Sequence, residues 1–193
     1  LALRQVIAPG WHTYWRNPGD AGLPTEMEWT LPEGFSVGEF QWPTPHTFVT
    51  DLGTGALVNY VYEGEVLLPM QATAPQTARV GATLTLSAYV SLLVCDDSTC
   101  VPQDGEVSLT LPITAQGASG GFADAIARTQ AALPLPAQAA TITAEGVLSI
   151  ASEAFGSDAT RWSDVYFFPD SQSQMDHNVG QAPRFGAQGV SFT

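Results

Sequence analysis

Apolar and polar residues alternate along much of the chain, as they do in a strand that buries one of its faces. Within residues 25–31, Met27 and Trp29 share one face, and Glu26 and Glu28 share the other. Gly, Pro, Asn and Asp residues, which favour turns, separate such segments. The pattern predicts strands at residues 3–8, 11–15, 25–31, 35–42, 56–62, 65–73, 82–90 and 106–112.

Seven or eight short strands before Ile113, spaced by turn signals, are typical of an immunoglobulin-like β-sandwich. We therefore expect an all-β domain over residues 1–115. Residues 43–46 are predicted to form a loop. Large apolar side chains are expected in the sandwich core, namely those of Trp11, Trp15, Trp29 and Trp42.

Residues 116–193 are predicted to form a second region. Gly, Ala and Ser dominate around residues 115–121, which indicates a linker. Apolar residues then recur at helical spacing from Phe122 to Leu133, where a Pro-Leu-Pro sequence follows and ends the pattern. This short helix is followed by a smaller β-region, with a hairpin at 140–151 that turns at Glu145-Gly146 and strands at 162–168 and 189–193.

The composition is strongly acidic. The 193 residues include 19 Asp plus Glu, six Arg and no Lys, for a formal net charge of −13 at pH 7. This balance argues against binding to nucleic acid or to anionic membranes, because both require basic patches that neutralise phosphate. The chain contains no run of 18 apolar residues, so we expect no membrane insertion by this fragment.

The two cysteines, Cys95 and Cys100, lie between the predicted strands 82–90 and 106–112, at or near the tip of a β-hairpin. Four polar residues separate them and favour a chain reversal that brings them within reach of a disulfide. A bridge over so short a loop removes only about 2 kcal/mol of unfolded-state entropy, a weak reason for a purely structural bond. An exposed pair can also exchange with another protein's thiolate, although Asp96 and Asp97 disfavour a thiolate at Cys95. The residues alone leave a structural bridge and a redox couple equally open.

The three histidines carry weaker signals. His12 lies on an aromatic strand, where a packed or surface role is the simpler interpretation and thiol tuning or metal binding the alternative. His46 and His177 lie in predicted loops.

Two phrases of the sequence carry a resemblance to a known family. Residues 10–25, Gly-Trp-His-Thr-Tyr-Trp-Arg-Asn-Pro-Gly-Asp-Ala-Gly-Leu-Pro-Thr, and residues 95–102 around the cysteines resemble the N-terminal periplasmic domain of the DsbD family, in particular its ScsB (suppressor of copper sensitivity) branch. The resemblance covers most of residues 1–113. Shorter phrases at 29–35 and 165–169 extend it.

This resemblance implies a protein-disulfide reductase module in the bacterial periplasm, the N-terminal part of an inner-membrane protein. Electrons would reach it from the thioredoxin-like domain of the same membrane reductase and pass to periplasmic thioredoxin-fold substrate proteins, with no cofactor. Cys100 would form the mixed disulfide with the partner, and Cys95 would be its intramolecular partner.

The family also implies a cap loop whose aromatic residue covers the cysteines. The matching stretch is Asn59-Tyr60-Val61-Tyr62-Glu63-Gly64, with Tyr62 or Tyr60 as the covering residue. The family pattern differs at two points: it has one more residue between the cysteines, and its cap carries Phe after acidic residues.

Two other functions remain open at this point. A copper-binding or copper-tolerance module would use Cys95 and Cys100 with a Met or His, since thiolates select Cu(I), but the spacing matches no standard copper motif and Met27 and Met70 fall in strands. A non-catalytic interaction domain would use the same cysteines as a structural disulfide.

Overall fold

The computed structural model describes residues 1–53, 55–116, 120–134, 139–151, 165–172, 176–177, 180–186 and 189–192. Contacts divide the chain into two compact units, Leu1–Leu133 and Pro134–Thr193. The described residues contain no helix that is both long enough and apolar enough to cross a membrane.

The first unit is built from short and medium-length strands that pair antiparallel. They form sheets with the strand orders β1-β7, β10-β9-β3, β2-β6-β5 and β4-β8. The predicted all-β, immunoglobulin-like class is confirmed. The strands are β1 (Ala2–Val6), β2 (Thr13–Gly19), β3 (Glu26–Thr30), β4 (Ser36–Val37), β5 (His46–Asp51), β6 (Ala56–Tyr62), β7 (Glu65–Pro69), β8 (Ala72–Thr73), β9 (Thr83–Cys95) and β10 (Cys100–Pro112).

The hairpin β9–β10 carries the cysteines at its tip. Its register pairs Thr83 with Pro112 at the open end and Cys95 with Cys100 at the closed end. Both strands therefore extend from the predicted segments as far as the cysteines. The prediction that they lie at a hairpin tip is confirmed.

Strand β2 is buried on both faces, although its sequence includes polar residues. The buried polar side chains of β1, β2 and the residue before β3 satisfy one another: the Thr13 hydroxyl donates to Gln5 Oε1 (2.8 Å), and Gln5 Nε2 donates to Thr25 Oγ1 (2.8 Å). Buried polar groups cost free energy unless they are hydrogen-bonded, so this chain of bonds fixes how the three segments meet.

Several strand predictions need correction. The predicted loop at 43–46 is wrong at its last residue, because His46 begins strand β5, which sequence analysis missed. Only residues 36–37 of the predicted strand 35–42 pair, with β8. Of the four predicted core tryptophans, only Trp15 is buried, where its ring meets the Tyr60 ring edge-on with centroids 6.1 Å apart. Trp11, Trp29 and Trp42 are half-buried, because they lie on an edge strand or outside the paired strands.

Helix α1 (Ala123–Ala131) confirms the predicted helix and packs against β7. Two side-chain contacts hold its flanks: the Arg4 guanidinium lies over the Phe122 ring (5.4 Å), and Gln130 donates to Gln41 (2.9 Å). These contacts place the helix with the first unit, whereas the division expected from sequence, 1–115 and 116–193, grouped it with the second.

The second unit contains a four-stranded antiparallel sheet with the order β11-β12-β14-β13. The predicted hairpin forms from β11 (Ala139–Ile142) and β12 (Leu148–Ala151), and the predicted final strand is β14 (Gly189–Phe192). Strand β13 (Arg184–Gly186) was not predicted. Of the predicted strand 162–168, residues 165–168 form no strand and the others lie outside the described residues.

Gly19 provides a test of the fold at the point where β2 meets β6. Its φ is +86°, and a Cβ there would clash with the carbonyl oxygen of Val58. We expect Gly19→Ala to lower the free energy of unfolding by about 3 kcal/mol or more, because backbone strain and a clash with main chain add. Urea denaturation followed by tryptophan fluorescence measures this loss.

Gly10→Ala is the matched control, because Gly10 has a similar φ of +80° but no atom within 4 Å of the added Cβ. Its expected cost is about 1 kcal/mol, from the left-handed backbone alone. Equal losses in the two variants would contradict the close contact between Gly19 and Val58.

Candidate functional site

The site centres on a disulfide between Cys95 and Cys100, whose Cα atoms lie 4.1 Å apart. The two residues are directly opposite each other in the β9–β10 ladder. The backbone N–H and C=O groups of Cys95 point away from Cys100. The N–H donates to His12 O (3.0 Å), and the carbonyl accepts from the His12 N–H (2.8 Å). Cys95 and Cys100 are therefore a non-hydrogen-bonded pair, the kind in which antiparallel strands bring side chains closest together.

A turn of four residues closes the hairpin. The Asp96 N–H donates to Thr99 O (2.9 Å), and Asp96 Oδ1 accepts from the N–H groups of Ser98 (2.8 Å) and Thr99 (2.7 Å) and from the Ser98 hydroxyl. These hydrogen bonds lower the pKa of Asp96, because they stabilise its ionised form. The turn predicted from Asp and Ser is confirmed, and the Asp96 carboxylate holds it.

The two sulfur-bearing residues differ sharply in exposure. Cys95 is only 1% exposed, whereas Cys100 is an exposed residue at the start of edge strand β10. Thiol-disulfide exchange requires an attacking thiolate to reach one sulfur. Of the two ends of this bond, Cys100 is the one that offers such access.

Cys95 packs in a small apolar cluster with the buried Tyr14 and Val61, against which the half-buried Phe48 and Leu93 also pack. Two sheets meet here, since Tyr14 and Val61 come from the paired strands β2 and β6, and Cys95 comes from β9. The cluster keeps water from the buried half of the disulfide.

His12 belongs to the surroundings of Cys95. The two residues exchange both of their backbone hydrogen bonds, so their side chains lie on the same face of the strands. The buried His12 ring packs on Phe48 (4.5 Å between centroids), and its Nε2 lies 3.3 Å from the Tyr14 hydroxyl. Burial lowers the pKa of His12, since desolvation outweighs the attraction of nearby carboxylates.

Phe48 is the aromatic residue that sequence analysis missed at this site. It lies on β5, where the run Thr47-Phe48-Val49-Thr50 is rich in the β-branched and aromatic residues of strands. That run was a usable signal for a strand. No local sequence pattern indicated that Phe48 lies close to Cys95. The two residues are far apart in the sequence, and only the pairing of β5, β6 and β2 brings them together.

The predicted cap segment, Asn59 to Gly64, is mostly strand β6 rather than loop. Side chains alternate between the two faces of a strand, and Val61 faces Cys95, so Tyr60 and Tyr62 lie on the opposite face. There Tyr60 is fully buried beside Trp15, and the buried Tyr62 donates its hydroxyl to a backbone carbonyl, that of Pro43 (2.6 Å). The structure does not bring either tyrosine together with the cysteines.

The remaining members of this segment have structural partners. Asn59 is buried, and its Nδ2 donates to Pro18 O (2.9 Å). Glu63 is exposed and pairs with His46 (2.9 Å), and the Gly64 carbonyl accepts from the Ile7 N–H (2.6 Å). The cap role of the segment stays a prediction.

A mostly apolar cavity of about 500 Å³ adjoins the hairpin tip. Val94 and Val101, the direct neighbours of the two cysteines, line it together with Trp11 and Ile7. Because side chains alternate, this cavity lies on the other face of the hairpin from Cys95. Apolar side chains therefore pack against or line both faces of the hairpin tip.

A copper site was the alternative use of the cysteines. The described residues contain no group of three or more His, Cys, Asp or Glu that could hold a metal ion. Met27 and Met70 line a common cavity, but neither cysteine is among its lining residues. In the described part of the chain, no observation therefore favours the copper alternative.

Comparison with known proteins identifies the family. The family model described as "Thiol:disulfide interchange protein DsbD, N-terminal" matches residues 1–112. Among solved structures, the chain is similar to the N-terminal periplasmic domain of ScsB from Proteus mirabilis, with 23% identity, a TM-score of 0.58, and coverage of 99% of this chain and 71% of that one. No curated protein matches the chain. The chain therefore belongs to the family of N-terminal domains of DsbD, the thiol:disulfide interchange protein.

Proposed function

We propose that this chain is a periplasmic thiol-disulfide exchange module that relays reducing equivalents from a membrane reductase core to periplasmic substrate proteins. The observation that carries the proposal is the unequal exposure of the two cysteines, with Cys100 open to a partner and Cys95 buried behind it. A bridge that served stability alone would not need one accessible sulfur. Membership in the DsbD N-terminal family supports the same activity.

The proposed reduction of the domain proceeds through Cys100. A thiolate of the thioredoxin-like donor attacks Cys100 Sγ, the Cys95–Cys100 bond breaks, and the electron pair leaves on Cys95. The second donor thiolate then attacks the donor sulfur of this mixed disulfide, and the electron pair leaves on Cys100. The donor departs as a disulfide and the domain holds two thiols.

The proposed reduction of a substrate uses the same residue. Cys100 attacks the substrate disulfide, and one substrate sulfur leaves as a thiolate. Cys95 then attacks Cys100 Sγ, which frees the second substrate sulfur and restores the Cys95–Cys100 bond. No cofactor takes part in these steps.

Charge around the hairpin tip favours a particular kind of partner. Asp96, Asp97 and Glu63 lie near His12 at this end of the unit, and the whole chain carries a net charge of −13. We propose that the thioredoxin-fold partner presents basic residues around its reactive cysteine. Such complementarity speeds association and weakens as salt rises.

We propose that Phe48, rather than Tyr60 or Tyr62, covers the buried half of the disulfide. Its ring packs on the cluster that contains Cys95 and on the ring of His12. It lies on β5, the outer strand of its sheet, whereas the tyrosines lie on the central strand β6. An outer strand can move away without breaking the pairing of β2 with β6.

The proposed roles of the two cysteines predict which of them traps a partner. We expect Cys95→Ser to accumulate a mixed disulfide through Cys100 when it is mixed with an oxidised thioredoxin-fold protein, because the resolving thiol is absent. The matched Cys100→Ser variant should form at least about 10-fold less, because Cys95 is buried. Non-reducing gels and mass spectrometry of the linked peptides measure both. Equal trapping by the two variants would count against the assignment.

The proposed exchange activity also predicts the reduction potential of the Cys95–Cys100 pair. An exposed, exchangeable couple should have a potential above about −300 mV, whereas structural disulfides lie below it. Equilibration in graded thiol buffers, followed by alkylation and mass measurement, gives the value. A potential far below this limit would favour the interaction domain with a structural bridge.

The proposed covering role of Phe48 predicts how its removal changes the rate of reduction. We expect Phe48→Ala to increase the rate at which a small thiol reduces the disulfide by about 3-fold or more, because it opens the Cys95 sulfur to attack in addition to the already exposed Cys100. Val49→Ala is the matched control, since Val49 is the next residue of β5 and is 60% exposed. Equal rates for the two variants would show that Phe48 does not limit access.

A further inference from the structure

The buried position of Cys95 creates a chemical requirement that the exposed Cys100 does not share. To resolve a mixed disulfide, Cys95 must react as a thiolate, since the thiolate and not the thiol is the nucleophile. Burial in apolar surroundings disfavours the charged thiolate and keeps water from its proton. In the disulfide form Cys95 is only 1% exposed, which favours a neighbouring side chain over bulk water as the acceptor of that proton.

The candidates for this acceptor can be compared by their surroundings. Burial raises the pKa of the Tyr14 hydroxyl, which therefore keeps its own proton. The Asp96 carboxylate accepts three hydrogen bonds within the turn, which lower its pKa and make it a weak base. Asp97 is exposed in the turn, and the exposed His46 pairs with the exposed Glu63. Among the described titratable neighbours, His12 is the one that is buried beside Cys95 and can take up a proton.

His12 lies on the same face of the paired strands as Cys95. Its backbone pairs with Cys95 through two hydrogen bonds, which places both side chains on one face, and its ring shares the same apolar surroundings through Phe48. Burial lowers the pKa of His12, which favours the neutral ring, the form that can accept a proton. The charged and titratable groups that face it are Tyr14 from β2, His46 from β5, Glu63 after β6, and Asp96 and Asp97 from the hairpin turn.

We propose that His12 is the general base that deprotonates Cys95 when Cys95 resolves the mixed disulfide. This inference rests on the proposed function. The proton moves from Cys95 Sγ to the imidazole, the Cys95 thiolate bonds to Cys100 Sγ, the bond between Cys100 and the partner sulfur breaks, and the partner leaves as a thiolate. Contact with the Tyr14 hydroxyl at Nε2 (3.3 Å) orients the ring, and Nδ1 accepts the proton when Nε2–H donates to Tyr14.

The test separates the two chemical steps. The reduced protein is mixed with one equivalent of 5,5′-dithiobis(2-nitrobenzoate): Cys100 releases the first coloured thiolate, and attack by Cys95 on the mixed disulfide releases the second. We expect His12→Gln to slow the second phase about 100-fold at pH 7 and to leave the first phase unchanged, since general base catalysis contributes that much or more. His46→Gln is the matched control, and both phases should run at the wild-type rate.

The pH dependence distinguishes a base from a merely structural residue. In the wild type, the second phase should rise through an ionisation below about pH 6.5, as expected for a histidine of lowered pKa, and then level off. In His12→Gln, it should rise steadily up to the pKa of the thiol. Added imidazole should partly restore the rate of His12→Ala.

The role of His12 and the proposed function would fail through different results. An unchanged second phase in His12→Gln, or a wild-type profile without a step below about pH 6.5, would overturn the role of His12. The wild-type pH profile requires no variant, so it tests the role of His12 even if His12→Gln fails to fold. Failure of the proposed function would instead appear as no trapped thioredoxin-fold partner in Cys95→Ser, with both phases of the colour reaction still present.

Discussion

The structure of the site depends on the double pairing of Cys95. On one side its backbone exchanges two hydrogen bonds with His12, and on the other its side chain bonds to Cys100 across the hairpin. An antiparallel strand can satisfy both neighbours, because its backbone groups point alternately to one side and the other. The hairpin tip is thereby fastened to the segment that leads into β2, and the disulfide is held at the boundary between core and solvent.

This position gives the two sulfurs different surroundings. Cys100 lies at an exposed strand end, while Cys95 lies against Tyr14 and Val61 in the interior. Apolar packing protects the bond from water but disfavours a thiolate at Cys95. The buried His12 beside it can offset that effect by accepting the proton, and its own lowered pKa arises from the same burial.

The parity of side chains along strands decides which residues surround the site. Tyr60, Val61 and Tyr62 are consecutive, yet of these only Val61 faces Cys95, since neighbours along a strand point to opposite faces. Matching the segment to a family motif did not determine which of its residues face Cys95. A shift of one residue exchanges the two faces, and the aromatic residue packed on the Cys95 cluster beside Tyr14 is Phe48, from a strand that was not predicted.

The sequence by itself determined the all-β class, the hairpin with both cysteines at its tip, the polar turn between them and the short helix, because local alternation, turn chemistry and helical spacing encode each of these. Tertiary structure decided the rest. It buried Cys95 and exposed Cys100, paired His12 with Cys95, placed Phe48 against the cluster and left three of the four predicted core tryptophans half-buried. These features depend on contacts between segments far apart in the chain, and no local pattern specifies which face or which neighbour such a contact will use.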